Sequence, residues 1–239
     1  MPKYKIADIV FSAQLLYDFT RKMCKSYEYY GARSIEFEVV MTEKDIEQEM
    51  AITGGNSKPY SESLALYRKL CDYALKNADG IVFHSSAVMV DGAAYLFAAP
   101  SGTGKSTHAK LWREMLGDRA VMINDDKPMV RYVDGAFYAY GTPWSGKHRI
   151  DNDCKAKIKA ICLIRQAKEN SIRKATTSEA LLAILNQTIR PSDKADMDKL
   201  LFILGEMLKS VDLYVLQCNV SKEAAELSYK NMSGDKNEN

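Results

Sequence analysis

A chain of 239 residues, 46% hydrophobic and 27% charged, is long enough for one substantial core, or for one core with a small lobe attached. Its 33 basic and 31 acidic side chains leave a net charge of +2, which gives no general reason to expect nucleic acid or an anionic membrane as a partner. Five scattered cysteines and three histidines offer neither a disulfide framework nor a zinc-type cluster. With no membrane-length apolar run and no signal-peptide core in MPKYKIADIV, a soluble cytoplasmic protein is expected.

Residues 1–58 read as an N-terminal lobe of strand, helix, strand and helix. Ile6 to Phe11 is a short apolar run broken only by Asp8, and Ile35, Phe37 and Val39 alternate with Glu36 and Glu38 as on a half-buried strand. Thr42 with Asp45 three residues on has the form of a capping box opening a short helix. The stretch Thr53 to Pro59, rich in Gly, Asn, Ser and Pro, is a loop and marks the boundary with the core, residues 59–232. A helix with an apolar stripe through Leu64, Tyr67, Leu70 and Leu75 is expected over Ser61 to Asn77.

Further on, Ile81 to Val90 and Ala93 to Ala99 are two apolar runs joined by Asp91-Gly92, the turn pair of a β-hairpin. The second run is therefore antiparallel to the first. A helix is expected from Lys105 to Leu116, ended by Gly117, then a strand from Ala120 to Asn124. Met129 to Val133 and Ala136 to Tyr140 form a second hairpin around Asp134-Gly135. Strands are expected at Ala160 to Ile164, Ser171 to Lys174 and Leu213 to Cys218. Helices are expected at Ser178 to Ile189, Asp196 to Val211, and from Ser221, an N-cap, to about Met232. Residues 233–239 read as a polar, disordered tail.

Between the first hairpin and its helix stands Ala99-Pro100-Ser101-Gly102-Thr103-Gly104-Lys105-Ser106, with the spacing of a phosphate loop and alanine in its opening slot. A polyphosphate needs several backbone N–H donors converging on one concavity, and glycines let the chain curl enough to aim them. The following helix adds its N-terminal donors and positive dipole end. Ser101, Gly102, Thr103, Gly104, Lys105, Ser106 and Thr107 are the nucleotide-binding candidates. Lys105 brings charge to the terminal phosphates and Ser106 offers a hydroxyl to Mg²⁺. Alanine in the first slot is compatible if its φ is negative.

Asp125 and Asp126 end a strand twenty positions after Lys105. One helix and one turn fit between, so this strand can lie beside the loop strand and bring both carboxylates to the phosphates. One acid would serve the metal with Ser106; the other would accept the proton of an attacking hydroxyl. His84 lies early in the first hairpin, within reach of the same place, where it could tune an acid or contact the terminal phosphate. The stretch GTPWSGKHRI, Gly141 to Ile150, reads equally as a surface loop anchored by a buried Trp144 and as a clamp in which Lys147, His148 and Arg149 face an anion.

The order of histidine on a strand, Asp-Gly hairpin, SGTGKS loop, helix, Asp-Asp and second hairpin resembles the catalytic domain of HPr kinase/phosphorylase and related kinases, which share a core with ATP-dependent phosphoenolpyruvate carboxykinase. The resemblance runs from Ile81 to Arg149, more loosely through the C-terminal part, and leaves the first 60 residues unmatched. It implies an α/β fold with a carboxykinase-like phosphate-loop core: a mixed, partly antiparallel sheet fed by hairpins and flanked by helices. It also implies that His84 is an active-site histidine and that Asp125 and Asp126 are paired acids, one a proton acceptor and one near the metal. Departures are Ser85, where HPr kinase usually has glycine, and TPWSGKHR where its glutamate-centred signature would stand.

The expected activity is transfer of a phosphoryl group from ATP, with Mg²⁺, to a hydroxyl on a serine-like side chain or a small metabolite. Asp125 is the preferred base and Asp126 the preferred metal ligand, though the two could exchange roles. His84 assists, and Lys147 and Arg149 meet transition-state charge. The alternative is a nucleotide-responsive regulatory module with little phosphotransfer. The implied partners are a nucleotide and a hydroxyl-bearing substrate, with neither nucleic acid nor membrane, and the resemblance favours a homo-oligomer.

Overall fold

The structure, a computed structural model, describes residues 1–234. Two sheets organise it. The smaller is built from β1 (Lys3–Ile6), β2 (Ile9–Gln14) and β3 (Phe37–Val40), with β2 antiparallel to β1 and parallel to β3. The run Ile6 to Phe11 is thus not one strand. Ala7 and Asp8 both take positive φ, 53° and 61°, and turn the chain back on itself. Between β2 and β3 lie α1 (Asp18–Met23) and a single 3₁₀ turn at Lys25–Tyr27. The capping box at Thr42 and Asp45 opens α2 (Glu43–Thr53), and Gly54 at φ 79° closes it.

The long α3 (Lys58–Asn77) joins the two parts. Leu66, Leu70 and Ala74 on it are buried with Tyr4, Ile9 and Phe11 of the small sheet and with Val82, Met129 and Trp144 of the large one. Glu62, buried on the same helix, reaches across to the start of α1. Its carboxylate accepts the Leu16 and Tyr17 N–H groups and, at 2.6 Å, the Thr20 hydroxyl. Tyr17 is the N-cap of α1 and its own side chain caps nothing, so Glu62 meets from another helix the donors that a short helix leaves open.

The large sheet has nine strands: β4 (Gly80–Val82), β5 (Ser85–Val90), β6 (Ala93–Ala98), β7 (Ala120–Asn124), β8 (Met129–Val133), β9 (Ala136–Tyr140), β10 (Lys155–Gln166), β11 (Ser171–Lys174) and β12 (Asp212–Cys218). Its main path runs β4-β8-β9-β10-β6-β5-β7. The apolar run Ile81 to Val90 is split between two strands that are far apart in this order, with Phe83 and His84 in the break. Both Asp-Gly pairs make the expected hairpin turns, with positive φ at each of the four residues. Instead of a short strand at Ala160 to Ile164, β10 is twelve residues long. One of its edges pairs with β9 through Lys155 to Lys157 and with β12 through Ala160 to Gln166; the other pairs with β6.

Alternation along the central strands sends side chains to two faces. Leu96, Ile161, Leu163 and Val215 pack under α5 (Thr177–Asn186) and α6 (Lys194–Ser210). Tyr95, Phe97, Cys162 and Leu216 pack under α4 (Lys105–Leu116) and α7 (Lys222–Ser233). The fold is therefore mixed α/β, with helices on both faces of a mixed sheet. The last helix includes Ser233, one residue into the expected tail; residues 235–239, where the rest of that disorder was expected, lie outside the described residues. Among the described residues, no helix is long and apolar enough to cross a membrane.

One expectation about the sheet is corrected. The acid-bearing β7 does not lie beside the loop-bearing β6; β5 stands between them, antiparallel to both. β6 and β7 therefore run in the same direction and end at the same edge, where β5 begins.

Replacing Glu62 by alanine would leave the Leu16 and Tyr17 amides and the Thr20 hydroxyl without their acceptor in a buried place. The expected cost is about 3 kcal/mol, read as a lower urea midpoint.

Candidate active site

The common edge of β5, β6 and β7 gathers the chemistry. The chain leaves β6 through Ala99 into the glycine loop, where Gly102 and Gly104 take φ of 78° and 112°. A Cβ would meet nothing within 4 Å at either, so the glycines serve the left-handed backbone and not a tight fit. Ala99 is not among the residues with positive φ, which meets the condition for alanine in that slot. Lys105 opens α4, is buried, and folds its ammonium back to donate to the Ala99 carbonyl at 2.8 Å. Burial pushes its pKa below the usual lysine range, against the opposing pull of Asp126 and Asp125, so both carboxylates act on this ammonium.

From β7 the chain enters Asn124-Asp125-Asp126-Lys127. The Asn124 side chain makes this turn: its oxygen accepts the Asp126 and Lys127 N–H groups at 2.8 and 2.7 Å, and its nitrogen donates to the Thr142 carbonyl at 2.7 Å. Asp125 is buried and accepts the Ser86 hydroxyl at 2.8 Å, while the Ser85 N–H donates to the Asp126 carbonyl at 3.1 Å. The start of β5 thus fixes both acids.

Asp126 accepts His84 Nε2 at 2.9 Å and pairs with the Lys127 ammonium. Burial pushes its pKa up, but the hydrogen bonds and charges of His84 and Lys127 outweigh that and bring it down to about 2. The Gln187 amide, at the end of α5, is assigned with its nitrogen toward the Ala99 carbonyl (3.2 Å), the His84 carbonyl (3.3 Å) and His84 Nδ1 (3.2 Å), because the opposite assignment sets its oxygen against acceptors. With Nδ1 accepting, the His84 proton sits on Nε2 and points at Asp126.

A cleft of about 1120 Å³ opens over these groups. Ser101, Gly102, Gly104, Lys105, Ser106 and Thr107 border it, together with His84, Asp125 and Asp126. Thr103 does not; it faces the other side of the loop. The segment Gly141 to Ile150 closes over the acids. Trp144 is its buried anchor, stacked obliquely on Tyr67 and donating from Nε1 to the Ser63 carbonyl at 3.0 Å. Lys147, His148 and Arg149 are exposed in the cleft, and neither Lys147 nor Arg149 makes a side-chain hydrogen bond or ion pair to another described residue. A Cβ at Gly146 would lie 3.0 Å from the Cβ of Asp126, so the loop approaches that acid through a glycine at φ 70°.

The remaining wall comes from α1, with Phe19, Lys22 and Met23, and from the start of the joining helix α3, with Tyr60 and Leu64. Tyr27 and Ser145 both donate to Asp151, which ties the 3₁₀ turn after α1 to the closing segment. Five cations, Lys22, Lys105, Lys127, Lys147 and Arg149, face three carboxylates, Asp125, Asp126 and Asp151, so the cleft is positive even though the chain is nearly neutral. Ser86, Asn124, Lys127 and Gln187 were not singled out in the sequence. Asn124, just before the acids, carries a readable turn signal; Gln187 carries none, because its partner His84 is remote in the chain.

No family model matches the chain, and no curated protein matches it. Among solved structures, the HPr(Ser) kinase/phosphatase from Coxiella burnetii is similar over 64% of this chain and 97% of that one, with a TM-score of 0.38 and 7% identity. That is a distant likeness of shape, and no residue role rests on it.

Because the folded-state pKa of Asp126 lies below its ordinary value of 3.8, its ion pairs stabilise the fold fully above about pH 4. That contribution, on the order of 2 kcal/mol, is lost as the pH falls through the folded value of about 2. Asp126→Asn should flatten this part of the pH dependence, measured as urea midpoints between about pH 2 and 5.

Proposed function

We propose that the protein is an ATP-dependent kinase that phosphorylates a hydroxyl on a serine-like side chain or a small metabolite. The observation that carries this reading is the convergence of Lys105 and the glycine loop with Asp125 and Asp126 in one positive cleft. A loop that cradles polyphosphate needs no acids at its far end merely to bind. Two carboxylates among excess cations suit a reaction in which a proton leaves as a phosphoryl group arrives.

In this reading the loop amides and Lys105 hold the phosphates, with the Lys105 ammonium leaving the Ala99 carbonyl for them. Asp126, held ionised by His84 and Lys127, is a weak base and a good oxygen ligand; Asp125 takes the proton. The acceptor oxygen forms a bond to the terminal phosphorus. The bond from that phosphorus to the bridging oxygen breaks, and its electron pair leaves on ADP. The proton passes from Asp125 to water, so the products are a phosphate ester, ADP and a proton. Lys147 and Arg149 face the cleft free to meet the equatorial oxygens. The wall of Phe19, Tyr60 and Leu64 borders the room left for the acceptor.

The donor set fits magnesium. Ser106 and Asp126 offer hard oxygens, and among the described residues there is no group of three or more His, Cys, Asp or Glu side chains that could hold a metal. Magnesium carried by phosphates needs only one or two protein ligands. When bound, it would neutralise charge on the phosphate oxygens.

Incubation with labelled ATP, Mg²⁺ and a panel of serine peptides, sugars, nucleosides and amino acids tests the proposal. A phosphorylated product is expected, and Asp125→Asn should lower its rate by roughly 10²–10⁴ while ATP affinity holds. Tight ATP binding with no transfer to any acceptor would favour a regulatory module instead.

A further inference from the structure

The cleft has a wall that the phosphate chemistry does not use. Phe19, Lys22 and Met23 lie three and four positions apart on α1, and Tyr60 and Leu64 lie four apart on α3, so each helix turns one face to the cleft. The two faces meet through the rings of Phe19 and Tyr60, packed edge to face with centroids 6.3 Å apart. Between the helices, buried Glu62 accepts the Tyr17 N–H at 3.2 Å and the Thr20 hydroxyl at 2.6 Å, so the wall is built into the fold. Phe19, Lys22, Met23 and Tyr60 belong to the first 60 residues, the part of the chain that the resemblance leaves unmatched.

We propose that this wall binds the phosphate acceptor, and that the acceptor is a peptide segment of a partner protein with an apolar and an acidic side chain near its hydroxyl-bearing residue. The inference rests on the kinase reading given above and deepens it by choosing between the acceptors left open there.

The polar groups exclude sugars and nucleosides. A molecule with several hydroxyls needs a hydrogen-bond partner for each when buried. The wall offers two polar groups, the Lys22 ammonium and the Tyr60 hydroxyl, among three apolar side chains. An apolar side chain of the acceptor fits against Phe19, Met23 and Leu64. Charge sets the second feature. Lys22 is exposed, and its ammonium makes no hydrogen bond or ion pair to another described residue. Asp151 borders the same cleft, but its oxygens accept the Tyr27 and Ser145 hydroxyls. Lys22 thus meets the acceptor as an open positive charge, the complement of an aspartate or glutamate. The reach of the apolar surface decides the size. Phe19 is 36% exposed, Tyr60 41%, and Leu16, just before α1, 41%. A metabolite enclosed in the cleft would leave these in water; a chain that crosses the rim covers them.

Labelled ATP and Mg²⁺ with a peptide library, one serine fixed and each neighbouring position varied in turn, test this. Leucine, isoleucine, methionine or phenylalanine should be favoured at one position and aspartate or glutamate at another, each at least about threefold over the average residue. On the best peptide, Lys22→Glu, at an exposed position, should raise KM about fivefold with kcat held, and exchanging the peptide's acid for lysine should recover the loss. Phe19→Ser should raise KM by about as much, and should cease to do so once the peptide's apolar residue is alanine. A preference for lysine or arginine, no preference at all, or variant effects that ignore the peptide's sequence would overturn the peptide wall. If sugars, nucleosides or free amino acids are phosphorylated and no peptide is, this inference alone falls and a kinase remains. If no acceptor of either kind is phosphorylated, the kinase reading falls with it.

Discussion

The site depends on where β5 lies. Because β5 pairs antiparallel with β6 on one side and with β7 on the other, those two strands must run in the same direction and end at the same edge. At that edge Ser85 pairs with Ala98, the residue before the loop's first slot, and Ala87 pairs with Asn124, the residue before the acids. His84, just before β5, and the Ser85 N–H and Ser86 hydroxyl at its start then hold Asp126 and Asp125. A slip of one residue in either pairing would turn every side chain of the strand to the opposite face. The geometry of the cleft is therefore a property of sheet register before it is a property of any single side chain.

Around that edge, charge and burial act together. His84 and Lys127 hold Asp126 ionised against the burial that opposes its charge, and Gln187 sits at the other nitrogen of His84. Lys105 meanwhile spends its charge on a backbone carbonyl in a site whose burial disfavours that charge. An anionic ligand would relieve both conditions, since phosphate oxygens are better partners for an ammonium than a neutral carbonyl is. The N-terminal elements belong to the same arrangement. α1 and the start of α3 form part of the cleft wall, and the turn after α1 is held to the closing segment through Tyr27, Asp151 and Ser145.

Local signals in the chain are legible, and non-local ones are not. The Asp-Gly turns, the Lys105–Leu116 helix and the Ala120–Asn124 strand follow from turn chemistry and helix-end rules that act over a few residues. The turn at Ala7 and Asp8 carries a weak signal: Asp tolerates positive φ, but it is paired here with alanine, which seldom adopts it, and not with a glycine as in the two Asp-Gly turns. β10 was read too short, although Lys155, Lys157 and Lys159 alternate with apolar residues and already carried the strand's period. The insertion of β5 between β6 and β7 could not be read locally, since pairing partners separated by a helix leave no mark on either segment. Ser86 and Gln187 were missed for the same reason: each acts on a group brought near only by the sheet and α5.

The most direct measurement is a crystal structure of the protein with a non-hydrolysable ATP analogue and Mg²⁺. The account requires the polyphosphate to lie along the backbone from Ser101 to Thr107, with Lys105 Nζ turned from the Ala99 carbonyl to a phosphate oxygen. The terminal phosphorus should then stand within about 6 Å of the Asp125 and Asp126 carboxylates, close enough for an acceptor hydroxyl to sit between. Phosphates bound away from the loop, or a terminal phosphorus more than about 10 Å from both acids, would contradict it.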